Sequence, residues 1–100
     1  MYRKGEGVPQ DDKTAVKWWT LAAEQGHAKA QYNLGVMYSN GQGVPQDYVR
    51  AHMWVNLGAS NGVTGGAGSR DQLAKKMTPS QIAEAQTLAR ECVKKNYKGC

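Results

Sequence analysis

An internal repeat of 36 residues restricts the fold more than any other feature of the sequence. Moved along the chain by that distance, residues 1–26 fall on residues 37–62 without a gap. Met1 and Tyr2 meet Met37 and Tyr38, and Gly5, Gly7, Val8, Pro9, Gln10 and Asp11 meet Gly41, Gly43, Val44, Pro45, Gln46 and Asp47. Ala15, Trp18, Leu21, Ala23 and Gly26 meet Ala51, Trp54, Leu57, Ala59 and Gly62, which makes thirteen identities in 26 positions. Such a period marks a stacked architecture, in which each unit buries its apolar face only against its neighbours.

The shared positions have local physical reasons. Gly41 and Gly43, like Gly5 and Gly7, let the backbone turn sharply between two helices. Pro45 turns Val44 away from helical geometry, and Asp47 then stands where a helix N-cap belongs, as Asp11 does one repeat earlier. Gly26 and Gly62 follow helical segments and suit the left-handed closing position. In the complete unit the pattern predicts helices over 28–39 and 47–60. Ala30, Leu34 and Tyr38 share one face of the first, and Ala51, Trp54, Val55 and Gly58 form the matching stripe on the second. A mid-helix glycine costs about 1 kcal/mol against alanine, so Gly35 and Gly58 point to a close approach of the two helices.

The run Ala30-Gln31-Tyr32-Asn33-Leu34-Gly35, continued by Met37-Tyr38, Gly41-x-Gly43-Val44, Asp47-Tyr48, Ala51 and Trp54, resembles a Sel-1-like repeat, a relative of the tetratricopeptide repeat. The segment from Arg70-Asp71 through Met77-Thr78-Pro79 to Gln81-Ile82-Ala83 resembles the helical closure of bacterial members of that family. The resemblance implies an all-α solenoid of antiparallel helical hairpins, used as an adaptor between proteins. It divides the chain into two repeats over 1–62, of which 1–26 is incomplete and 27–62 complete, and a C-terminal helical cap over 63–100. The departures are Gly58 in place of the alanine kept at Ala22, Val55 after Trp54, and a first repeat without its first helix.

In the C-terminal segment the glycines between Gly62 and Gly68 read as a loop. Ser69-x-x-Gln72 and Thr78-Pro79-Ser80-Gln81 are capping-box patterns, which predict a short helix over 70–77 and a longer one over 79–95. Ile82, Ala85, Ala89, Cys92 and Val93 form its apolar stripe, opposite Glu84, Arg90, Lys94 and Lys95. Cys92 and Cys100 are the only cysteines. With a turn over 96–99 they can form a disulfide, which fits an oxidising compartment such as the periplasm or the secreted milieu. The alternative is a buried Cys92 beside a frayed terminal thiol. Disulfide-rich secreted members occur in the family that the repeat resembles.

Of the net charge of +5, +4 resides in residues 63–100, through Arg70, Lys75, Lys76, Arg90, Lys94, Lys95 and Lys98 against three acidic groups. No aromatic residues interleave these cations as a base-stacking platform requires, so they read as a solvated face, and nucleic acid or another acidic partner is the lesser alternative. No stretch is apolar enough to span a membrane. No serine opens a Ser-x-x-Lys motif, which disfavours the penicillin-binding or β-lactamase-like hydrolase suggested by the label of some relatives. His27 and His52 read as packing or solvent-side residues. No catalytic, metal or cofactor residues are assigned, and the chain reads as a binding module rather than an enzyme.

Its partner is expected to be a protein or peptide. Gln31, Tyr32, Asn33, Val36 and Met37, which the Leu34/Tyr38 core face does not need, are the contact candidates. Trp18 and Trp54 are expected to be equivalently buried. The absent first helix leaves Ala15, Trp18, Trp19 and Ala22 uncovered, so self-association through that open end is expected unless residues 1–10 fold back or the chain belongs to a longer protein.

Overall fold

The structure, a computed structural model, describes residues 11–100. The turn expected at Gly5 and Gly7 and any fold-back of residues 1–10 lie outside the described residues. Five helices and no strand occur among those described: α1 (Asp12–Glu24), α2 (Ala28–Asn40), α3 (Tyr48–Ser60), α4 (Gly66–Ala74) and α5 (Pro79–Lys94).

The caps read from the sequence set three of the helix starts. Asp11 accepts from the amides of Lys13 and Thr14 and from the Thr14 hydroxyl at 2.7 Å, a set of bonds that holds its carboxyl below the usual carboxylate range. Asp47 accepts from the Arg50 amide at 3.1 Å. Thr78 and Gln81 form a reciprocal capping box with Pro79 at the first helical position. Gly41 closes α2 at φ 67°, in the left-handed region that favours glycine.

Within the α2–α3 hairpin the two backbones nearly touch. A Cβ on Gly58 would lie 2.9 Å from the Ala28 carbonyl oxygen and 2.9 Å from the Tyr32 nitrogen, and one on Gly35 would lie 2.6 Å from Val55 Cγ2. The propensity lost at these glycines is offset by the burial that this approach permits. Helix α3 lies among α2, α4 and α5 and is buried on most sides, from Ala51 through Val55 and at Leu57 and Gly58. One cluster joins Ala23, Ala30, Leu34, Met53, Trp54, Leu57, Ala89 and Cys92, and a second joins Ala51, Leu73, Met77 and Ala85.

Four expectations need correction. Helix α4 begins at Gly66 rather than near 70, because Gly66 packs against α3 where a Cβ would meet Ala59 Cβ at 2.9 Å. Ser69 is therefore inside the helix and caps nothing; its hydroxyl pairs with Tyr32 instead. Val93 points outward at 50% exposure, while Ala85, Ala89 and Cys92 carry the apolar stripe of α5. Trp18 is 63% exposed although Trp54, its repeat equivalent, is 2% exposed. Trp54 is enclosed with residues of α2 and α5, whereas no described element covers the same face of α1. Its neighbour Trp19 packs on the core, so adjacent tryptophans on one helix meet opposite environments.

After α5 the chain reverses through Asn96 (φ 55°) and Tyr97 (φ 66°), and Cys92 is bonded to Cys100. The Gly99 amide donates to Glu24 at 3.2 Å, the Arg50 guanidinium donates to the Cys100 backbone oxygen, and the Tyr97 ring lies beside Gly26. The tail thereby ties α5 to α1 and α3.

Candidate functional site

Helix α4 packs on α3 and reaches α2 at Tyr32, and the face between α2 and α4 is the one that carries accessible residues from the contact set expected from sequence. The two helices are joined there by a hydrogen bond of 2.8 Å between the Tyr32 and Ser69 hydroxyls. Two clefts meet at Tyr32. One, of about 500 Å³, runs past Ala28, Lys29 and Asn33 to the 61–64 loop, and the other, of about 310 Å³, runs past Val36 and Ser39 to Gln72 and Lys76. Among the described residues no acidic side chain lines either of them, while Lys29 and Lys76 do. The result is a shallow, mixed polar and apolar surface of positive sign, with a rigid tyrosine at its centre.

The structure separates the five sequence candidates. Tyr32, Asn33 and Val36 are partly exposed along these clefts. Gln31 and Met37 are buried, so neither belongs to the accessible surface. Gln31 is 0% exposed because its side chain bridges the helices: Nε2 donates to the Ala23 carbonyl at 3.2 Å, and Oε1 accepts from Asn61 Nδ2 at 2.8 Å. Met37 turns inward, and its identity with Met1 in the repeat was the signal of a structural role. Ser69 and Gln72 join the face from α4, and Lys76 from the turn that follows it. Sequence reasoning missed Ser69 because it read as a helix cap, and Gln72 and Lys76 because their helix read only as part of the closing segment.

His52 is buried on α3, and its Nδ1 has no hydrogen-bond partner among the described residues. Burial first, and then the nearby Arg70 cation, push its pKa below the ordinary 6.5, against a smaller opposing pull from Asp71. The neutral ring is thus the folded form. The unfolded chain takes up a proton as pH falls through 6.5 and the folded chain does so only at lower pH, so this contribution to stability is full above 6.5 and is lost as pH falls from there through the folded value. Urea unfolding at pH 7.5 and 5.5 is expected to show a loss no steeper than about 1.4 kcal/mol per pH unit. The His52→Leu variant should lack this component. Equal pH dependence in both proteins would mean that the ring is solvated.

Among the described residues no group of three or more His, Cys, Asp or Glu side chains is placed to hold a metal ion, and no helix is long and apolar enough to cross a membrane. The Sel1 repeat pattern matches the chain twice, over residues 1–27 and 28–63. The fold is similar to the crystal structure of a protective antigen present in uropathogenic Escherichia coli strains and displaying an SLR fold. The TM-score is 0.85 at 33% identity, over 94% of this chain and 21% of that one. The chain thus spans about a fifth of that protein's length. No curated protein matches the sequence.

Proposed function

Because the chain belongs to the Sel1 repeat family, we propose that this protein-interaction repeat module is a non-catalytic adaptor, which docks a protein or peptide on the α2–α4 face through Tyr32, Asn33 and Val36. The observation that carries this reading is the arrangement at Tyr32, whose hydroxyl is held by Ser69 while its ring lies between two accessible clefts. A tyrosine fixed in this way offers contact area at little further cost in side-chain entropy, which is the character of an interface anchor. The fold supports the reading by analogy, since a solenoid surface is made for extended contacts. The disulfide further supports an oxidising compartment, where such bonds persist.

A displayed peptide library selected on the folded chain tests the α2–α4 assignment. Selected peptides are expected to lose about tenfold or more in affinity for Tyr32→Ala and for Val36→Glu, as anchor residues of an interface do. Binders indifferent to both substitutions would place docking elsewhere, and purified chain that turned over a chromogenic β-lactam would overturn the non-catalytic reading. Self-association is a second reading, favoured by the exposure of Trp18 (63%) and Leu21 (50%) on one face of α1. It predicts a rise in sedimentation-average mass with concentration that Trp18→Lys abolishes. A monomer at every concentration would remove it.

A further inference from the structure

A third cleft, of about 670 Å³, lies between α3, Arg70 of α4, α5 and the tail, and meets the first Tyr32 cleft at Asn61. Its walls are apolar at Leu57, Ala89 and the outward-facing Val93, and it is lined by two guanidinium groups, Arg70 and Arg90. Among the described residues no Asp or Glu side chain lines it.

The two arginines are held differently. Arg70 is positioned by Nη1 donating to Asn56 Oδ1 at 2.9 Å and by its pair with Asp71, whose carboxylate lies 3.3 Å from Nε. Arg90 donates only to the Thr87 hydroxyl among the described residues. One cation is therefore preoriented and partly neutralised, and the other keeps most of its donors free. Lys94 and Lys98 follow Arg90 in the sequence and add to the positive charge of this segment.

We infer that the cleft is a docking site for an acidic segment of a partner protein, in which a carboxylate meets Arg90 and Arg70 and a neighbouring aliphatic side chain packs on Val93. A guanidinium fork matches a carboxylate with two parallel hydrogen bonds, which gives geometric selectivity as well as charge complementarity. The apolar wall favours a protein segment over nucleic acid. So does Tyr97, the one aromatic among the described residues lining the cleft, whose ring lies beside Gly26 and whose hydroxyl accepts from Asn61, so that it offers no free stacking platform. The contact residues Arg70, Arg90 and Val93 are distinct from Tyr32, Asn33 and Val36 of the α2–α4 face, so either can fail while the other stands.

The test uses fluorescence anisotropy on the whole oxidised chain with a fluorescein-labelled decapeptide of alternating glutamate and leucine. A glutamine–leucine decapeptide and a labelled oligothymidine serve as comparisons. The acidic peptide is expected to bind about tenfold or more tightly than the glutamine peptide at physiological salt. Arg90→Glu should abolish that preference, and Arg90→Lys, which keeps the charge without the fork, should weaken it by a factor of about three to ten. Lys17→Glu, the same change in net charge on α1, should leave binding within about twofold, because a remote exposed charge is largely screened. Arg90→Gln replaces Arg90→Glu if the latter unfolds. Equal binding of the two peptides, an equal loss in Lys17→Glu, or preferential binding of the oligothymidine would each overturn the proposal.

Discussion

Trp54→Ala is expected to cost about 3–5 kcal/mol, as truncation of an enclosed aromatic does, and a chain of this size is expected to lose its cooperative fold on that change. The indole is 2% exposed and sits in the cluster that joins Ala30 and Leu34 of α2 to Ala89 and Cys92 of α5. Its removal opens a cavity at the junction of three helices, and the glycine contacts at Gly35 and Gly58 leave the hairpin little room to collapse into it. Trp18→Ala provides the control, with the same residue at the equivalent repeat position. At 63% exposure its loss should change stability by no more than about 0.5 kcal/mol. Urea unfolding of both variants decides the matter. Similar losses at the two sites would mean that α1 is covered as α3 is.

This contrast shows where the sequence was legible. The repeat predicted α2, α3, their N-cap at Asp47 and the close approach at Gly35 and Gly58, because those features depend on residues near in sequence or one hairpin away. It misplaced Trp18 because repeat symmetry describes the interior of a stack, and an end residue lacks one neighbour. Gln31 was misread for another reason. A polar side chain on a helix reads as solvent-facing unless its partners are known, and both of its partners, the Ala23 carbonyl and Asn61, lie outside its helix. Gly66 is a third kind of miss. Glycines weaken a helix in isolation, but this one starts α4 because contact with Ala59 across the hairpin requires a residue without a side chain. Of the candidate site, Tyr32, Asn33 and Val36 could be read from α2, whereas the half supplied by α4 depended on that contact.

Cys100→Ser is expected to remove about 2–3 kcal/mol, the value of closing a loop as short as the one between Cys92 and Cys100, which are 8 apart in sequence. Cys100 is the residue to change, because Cys92 is part of the core and its replacement would add a packing defect. The effect should be uneven along the chain. Among the described residues α1 packs chiefly against α2, and the tail supplements that contact through the Gly99 amide on Glu24 and the Tyr97 ring beside Gly26. Release of the tail therefore weakens the C-terminal turn of α1 directly, while the α2–α3 hairpin keeps its own close contacts. Hydrogen exchange on oxidised protein and on Cys100→Ser should show lost protection at 22–26 and 96–100, with α3 nearly unchanged, as expected when a region opens in a local unit. Protection lost evenly across all five helices would show instead that the disulfide supports the fold as a whole, and no loss at 22–26 would show that the tail does not hold α1.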